Sequence, residues 1–104
     1  MIKVNGYDIE YTYGDTFTIN VTPKKDTVFE PGMQLKFIIA QTEQSERIID
    51  KTIAIDGDLI FTITLNDAEK KLLPQGEYQY KMVIYQNNTI ITVIDGYFIV
   101  KWGA

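Results

Sequence analysis

The chain of 104 residues contains neither cysteine nor histidine, and these two absences remove the usual means of catalysis and metal binding. Without cysteine there are no disulfides, thiol nucleophiles or thiolate ligands for zinc. Without histidine there is no Ser-His-Asp triad and no zinc-protease helix, because both depend on an imidazole. We therefore predict a non-enzymatic protein with no catalytic residue, no metal site and no cofactor.

Basic residues are also few. Ten Lys and Arg stand against fourteen Asp and Glu, so the net charge is -4. Nucleic acids and anionic membrane surfaces both attract basic patches, and we expect neither as a partner. No apolar run approaches the roughly 18 residues of a membrane helix, and residues 1–6 lack the apolar core of a signal peptide. We therefore expect synthesis in the cytoplasm without a signal peptide.

The residue types that are abundant in the chain are typical of β-strands. It is rich in Ile, Val, Thr, Tyr and Phe, and turn residues recur at intervals of roughly ten residues. Residues 16–22 alternate clearly, because Phe17, Ile19 and Val21 share one face of the predicted strand. Residues 33–41 carry apolar side chains on both faces, which predicts a central strand.

The dipeptide Asp56-Gly57 is a strong turn signal and predicts a hairpin that joins residues 47–55 to residues 58–65. Asp56, Gly57 and Asp58 also resemble part of a calcium loop. That loop is too short for an EF-hand, and no glutamate closes it. The hairpin is therefore the preferred interpretation.

One segment departs from the strand pattern and predicts a short helical turn near residues 66–73. Asn66 is a good N-cap, and Glu69 follows three residues later, as in a capping box. Together with the strands, this predicts one domain over residues 1–104. We expect an all-β immunoglobulin-like sandwich of seven or eight antiparallel strands, since two sheets must pack together to bury their apolar faces.

Aromatic residues are the candidate binding groups. Tyrosine and tryptophan offer large contact areas at low entropic cost, and they are enriched in interfaces. The candidate partner-binding residues are Tyr7, Tyr11, Tyr13 and Trp102. The alternative is that the tyrosines only cover one end of the sandwich. If the tyrosines bind partners, a chain without residues 1–13 is expected to fold but not to assemble.

The order of several segments resembles a family of phage proteins. The segments that carry the resemblance are residues 14–17 (GDTF), 35–39 (LKFII), 61–65 (FTITL), 66–69 (NDAE), 76–80 (GEYQY) and 95–100 (DGYFIV). Together they are similar to the N-terminal domain of baseplate upper proteins from tailed phages of Gram-positive bacteria. The resemblance covers roughly residues 14–100.

The resemblance implies a structural role in a virion, with assembly onto other phage tail or baseplate proteins and with copies of itself as a further partner. It supplies no catalytic residues. The alternative function, argued from the tyrosines together with carboxylates and asparagines, is a carbohydrate-binding or adhesin-like surface module. The third interpretation, an enzyme or enzyme inhibitor, is disfavoured by the missing histidine and cysteine. The composition is equally compatible with a purely structural spacer.

Overall fold

The computed structural model describes residues 2–23, 28–42 and 44–102. These residues form eight strands and one short helix. In chain order the elements are β1 Ile2–Asn5, β2 Asp8–Thr12, β3 Phe17–Val21, β4 Gln34–Ala40, β5 Arg47–Ala54, β6 Phe61–Leu65, α1 Asp67–Lys71, β7 Gly76–Gln86 and β8 Thr89–Lys101. No helix in the described ranges is long and apolar enough to cross a membrane.

The strands form two sheets that pack face to face. The large sheet has the strand order β1-β2-β8-β7-β4-β5, and the small sheet consists of β3 and β6. The prediction that all strands are antiparallel is wrong for one pair, because β2 runs parallel to β8. A parallel pair needs a long crossover, and here most of the chain separates the two strands. The predicted central strand is confirmed, since β4 lies between β5 and β7.

The prediction of a hairpin around Asp56-Gly57 is wrong, because β5 and β6 do not pair with each other. The predicted turn between them is present. β5 pairs with β4 in the large sheet, whereas β6 pairs with β3 in the small sheet. Asp56 Oδ1 accepts hydrogen bonds from the backbone N–H groups of Asp58 at 2.9 Å and Ile60 at 3.2 Å. This side chain therefore directs the chain from one sheet to the other, which explains the aspartate without a calcium ion.

The core lies between the two sheets and is centred on aromatic rings. The Phe17 ring on β3 lies edge-on to Tyr11, with centroids 5.4 Å apart, and 5.5 Å from the Phe98 ring. All three side chains are fully buried. The alternation predicted for residues 16–22 is confirmed, because Phe17 is buried while Ile19 and Val21 pack against the core. Aromatic pairs in this geometry stabilise a core by about 0.5–1.5 kcal/mol beyond their burial.

The predicted helical turn is confirmed with its capping box. Asn66 Oδ1 accepts from the N–H of Glu69 at 2.8 Å, and Glu69 Oε1 accepts from the N–H of Asn66 at 2.9 Å. After the helix, the Tyr78 hydroxyl donates to the carbonyl oxygen of Pro74 at 2.6 Å. This is the tyrosine corner that fixes the entry to β7 in immunoglobulin-like sandwiches.

Candidate functional site

One of the four aromatic residues predicted to bind partners lies inside the protein. Tyr11 is fully buried on β2, and its hydroxyl donates to the carbonyl oxygen of Asp15 at 2.6 Å. Burial raises the pKa of this hydroxyl, although the nearby Lys70 opposes the shift. The prediction is therefore wrong for Tyr11, because alternation along β2 directs its ring into the core. The expectation that a chain without residues 1–13 folds conflicts with the same burial.

The other three predicted residues are exposed. The exposed fractions are 54% for Tyr7, 37% for Tyr13 and 71% for Trp102. Tyr7 and Tyr13 flank opposite ends of β2, so they do not form one cluster. The N–H of Tyr13 instead donates to the carbonyl oxygen of Lys101 at 2.9 Å, which brings Tyr13 beside Trp102. Their role in binding stays a prediction.

The large sheet has an outer face, defined as the side turned away from the small sheet, on which strand register arranges side chains in rows. One row crosses three strands and consists of Ala40, Gln79 and Tyr97. The next row consists of Ile38, Lys81 and Asp95. Neighbours within such a row have Cβ atoms about 4.5–5.5 Å apart, so these six side chains share one surface.

A pocket of about 290 Å³ opens on this part of the outer face. Ala40 is the smallest side chain in its row, and the larger side chains of Gln79 and Tyr97 stand beside it. The loop after β4 supplies a wall, where the Thr42 and Ser45 hydroxyls lie 2.8 Å apart and share a hydrogen bond. The lining therefore combines two small residues, Ala40 and Gly96, with larger neighbours.

The polar groups around the pocket differ in how they are paired. Arg47 donates to Asp50 at 2.8 Å, and Lys36 lies 3.7 Å from the same carboxylate. Gln79 Oε1 is buried and has no hydrogen-bond partner in the part of the chain that the structure describes. A buried acceptor without a donor costs about 1–3 kcal/mol. Gln79 Oε1 is therefore a buried acceptor that is closed to solvent as well as unpaired.

Beneath the pocket, Tyr80 anchors the turn between β1 and β2. Its hydroxyl donates to the carbonyl oxygen of Tyr7, and its ring is nearly fully buried. Burial, reinforced by the charges of Asp8 and Asp95, raises the pKa of Tyr80 to about 12. The hydroxyl therefore stays neutral over the physiological range and serves as a structural donor.

A second feature of the outer face lies near the tip of the β7–β8 hairpin. Here Ile90 pairs with Tyr85, and Val93 pairs with Val83 across the two strands. The exposed fractions are 64% for Ile90, 49% for Ile91 and 49% for Val93. We call Ile90, Ile91, Val93, Val83 and Tyr85 the apolar strip. Sequence reasoning missed it, although its signal was the run Ile90-Ile91, which follows the Asn87-Asn88 turn after Thr89.

No group of three or more acidic side chains close enough to hold a metal ion occurs within residues 2–23, 28–42 and 44–102. The candidate site consists of two surface features, the pocket and the apolar strip.

Comparison with known proteins supports the fold. No protein-family model and no curated protein matches the sequence. Among solved structures, the NK cell receptor NKp44, described as a triggering partner in natural cytotoxicity, aligns with a TM-score of 0.54 and 18% identity over 90% of this chain and 96% of its own. The extracellular domain of the voltage-gated sodium channel beta4 subunit aligns with a TM-score of 0.48 and 14% identity over 93% of this chain and 92% of its own. The chain is an immunoglobulin-like β-sandwich.

Proposed function

We propose that this domain is a non-enzymatic assembly module that joins proteins in a phage tail or baseplate. The observation that carries the assembly role is the distribution of exposed apolar side chains. Of the ten large hydrophobic residues that are exposed in the described ranges, five lie on or beside β8: Ile90, Ile91, Val93, Tyr97 and Trp102. The phage setting is supported by the sequence resemblance to baseplate upper proteins.

The apolar strip is the contact surface in this proposal. Contiguous apolar side chains on a protein surface gain about 25 cal/mol for each Å² that an interface removes from water. Lys36 borders the strip, since it pairs with Val83, and Lys81 lies two residues before Val83 on β7. The partner that fits is another tail or baseplate protein with an apolar patch, since Lys36 and Lys81 already lie beside the carboxylates of Asp50 and Asp95.

The experiment has two parts. The first is mass spectrometry of purified phage particles, together with antibody labelling of their tails. We expect the protein in the particles and the label at the tail. Its absence from pure, infectious particles would overturn the phage role.

The second part tests the contact surface with the double variant Ile90→Glu, Val93→Glu. Both side chains are exposed, so we expect the variant to fold but to be lost from particles assembled in its presence, because two carboxylates oppose burial. The matched control is Thr18→Glu, Thr62→Glu, which places the same charges on exposed positions of the small sheet. Normal incorporation of the Ile90, Val93 variant would show that the strip is not the contact surface.

A further inference from the structure

We propose that the free edge of β3 binds an extended strand of a partner protein, which adds to the small sheet through backbone hydrogen bonds. Among the described residues, β3 has β6 as its one strand neighbour, so one side of β3 has no strand beside it. This edge belongs to the small sheet, whereas the apolar strip lies on the outer face of the large sheet. The inference therefore goes beyond the proposed function and stands whether or not the strip joins proteins.

Side-chain contacts between β3 and β6 show which backbone groups face the free edge. The Thr18 and Thr64 hydroxyl oxygens lie 3.4 Å apart. Thr62 donates to Asn20 Oδ1 at 3.1 Å. Such contacts are typical of the non-hydrogen-bonded pairs of an antiparallel ladder, in which the backbone groups point away from the neighbouring strand. The carbonyl oxygen of Thr64 agrees, because it accepts at 2.6 Å from the Nζ of Lys51, which lies on β5. The N–H and C=O groups of Thr18 and Asn20 therefore point toward the free edge.

The inner side of β3 is incompletely covered at the same edge. Ile19 lies opposite Ile63 on β6. Val21 lies opposite Phe61 on the same face. The two residues on β6 are fully buried, whereas the two on β3 are only partly buried although they pack against the core. Exposure within each pair therefore increases toward the free edge, and an added strand would remove both β3 side chains from water.

The other three sheet edges carry protection against strand addition that β3 lacks. At the β6 edge, Lys51 Nζ binds the carbonyl oxygen of Thr64 and lies 2.9 Å from the carboxylate of Glu69. The edge strands of the large sheet contain charged residues, including Lys3 in β1 and Arg47 in β5. The sequence of β3, FTINV, contains neither a charge nor a proline. Since charged edge residues prevent unwanted pairing, their absence marks β3 as the edge that accepts a strand.

The large sheet extends beyond β3 on the side of the free edge. β6 lies toward β5, because Lys51 on β5 reaches Thr64 on β6, and β3 therefore lies toward β1 and β2. The Phe17 ring agrees with this placement, since it contacts Tyr11 on β2. β1 is the next strand outward, and its Ile2 is only partly buried. An added strand finds an apolar floor there, whereas a second folded copy does not fit, because its own β1 and β2 would enter the same layer.

The chemistry of the partner segment follows from what β3 presents. The segment must offer extended backbone to Thr18 and Asn20, as in the recognition of peptides by strand addition. Its side chains must alternate, with apolar residues beside Ile19 and Val21 and small polar residues on the outer side. A charged residue in the segment gains no opposite charge from β3. The partner that fits is therefore an uncharged, alternating segment at least as long as β3, which has 5 residues.

The test is an NMR titration of the 15N-labelled protein with a capped peptide of the sequence of residues 16–22, TFTINVT, which has the required alternation. We expect saturable chemical-shift changes at the amides of residues 17–21 and slower hydrogen exchange at the N–H groups of Thr18 and Asn20. A peptide of the same composition with adjacent apolar residues, TTNTFIV, should bind at least tenfold more weakly, because it has no single apolar face. No shifts, shifts confined to other parts of the domain, or equal responses to both peptides would each overturn the proposal.

The matched variants are Asn20→Pro and Thr62→Pro. Proline removes an N–H donor and is tolerated on an edge strand where that N–H points away from the ladder. The two positions form one pair, and both changes remove the same side-chain hydrogen bond, so we expect similar melting temperatures.

Asn20→Pro removes a donor at the β3 edge and should weaken binding of the TFTINVT peptide at least tenfold. Thr62→Pro acts on the far side of β6 and should bind as the parent does. Equal affinities in the two variants would contradict the assigned edge. If Asn20→Pro does not fold, hydrogen exchange in the parent decides, because unchanged exchange at Thr18 and Asn20 with saturating peptide would overturn the proposal.

Discussion

Gly96 and Tyr7 approach so closely that a Cβ atom on Gly96 would stand 2.5 Å from the carbonyl oxygen of Tyr7. The same Cβ would lie 3.1 Å from Cε1 of Tyr80, whose hydroxyl donates to that carbonyl oxygen. The absence of a side chain at Gly96 therefore lets the β1–β2 turn pack against the large sheet.

We expect Gly96→Ala to destabilise the domain by about 1–3 kcal/mol, because backbone atoms rather than a flexible side chain oppose the new methyl group. Each kcal/mol of stability that is lost lowers the melting temperature of a domain near this length by roughly 4–8 °C. Thermal unfolding followed by circular dichroism measures the change. Gly57→Ala is the matched control, since nothing lies within 4 Å of a Cβ at Gly57, and it should melt within a degree or two of the parent.

Stability is expected to fall at alkaline pH as Tyr80 ionises. Its pKa is about 12 in the folded protein, above the ordinary value of 10.0, so folding favours the protonated hydroxyl. The contribution is fully present below pH 10 and is lost as pH rises through 12. This difference between the folded and unfolded pKa values corresponds to about 2–3 kcal/mol of folding free energy. Urea unfolding at about pH 8 and about pH 11 measures roughly half of this loss, because pH 11 lies midway between the two pKa values.

The variant Tyr80→Phe distinguishes the contribution of Tyr80 to the alkaline loss of stability from the contributions of the other buried tyrosines. Burial also raises the pKa of Tyr11 and Tyr78, so part of the alkaline loss should remain in the variant. We expect Tyr80→Phe to be less stable than the parent near neutral pH, because the Tyr7 carbonyl loses its donor, but to lose less stability on going to alkaline pH. A pH dependence equal to that of the parent would show that Tyr80 does not control it.

Glu69 joins the helix cap to the large sheet. Its carboxylate caps Asn66 and also accepts from Lys51 Nζ at 2.9 Å. Burial opposes ionisation, but these hydrogen bonds and the Lys51 charge together hold the pKa of Glu69 below its ordinary value of 4.5. Its contribution to stability is therefore present above pH 4.5 and is lost as pH falls through the lowered pKa.

We expect Glu69→Ala to destabilise the domain by about 1–2 kcal/mol near neutral pH, because it removes both the cap and the partner of Lys51. Glu69→Gln should lose less, since glutamine can still cap Asn66. Urea unfolding at neutral and acidic pH measures both effects. The control Asp67→Asn changes a side chain that is 91% exposed and should stay within about 0.5 kcal/mol of the parent. If Glu69→Gln lost as much stability as the parent on going to acidic pH, protonation of Glu69 would not be the cause of the acid loss.

Removal of residues 1–13 is expected to unfold the domain. The deletion takes away β2, and with it the buried side chains of Ile9 and Tyr11. Loss of an aromatic core residue alone costs about 3–5 kcal/mol, a large share of the stability of a small domain. Dispersion of the NMR amide signals measures the result, with Tyr13→Ser as a control that changes only an exposed residue. A well-dispersed spectrum from the shortened chain would contradict the assigned core.

The elements that could be predicted from the sequence are those whose deciding interactions join residues only a few positions apart. The capping box of Asn66 and Glu69 formed as predicted, because both partners lie within one helical turn. Alternation identified the buried face of β3, since it follows directly from strand geometry. It did not separate Tyr11 from the exposed tyrosines, because the pattern around β2 is too short to assign its buried face.

The sequence by itself determined that the chain forms strands, where most of them turn, and that it contains neither cysteine nor histidine. Only the tertiary structure decided that β2 runs parallel to β8, that β5 and β6 belong to different sheets, and that Ala40, Gln79 and Tyr97 share a pocket. The physical reason is the sequence separation between the residues that decide each feature. Turns, caps and alternation depend on residues a few positions apart, whereas pairing depends on which distant strand completes the backbone hydrogen bonds and buries the apolar face.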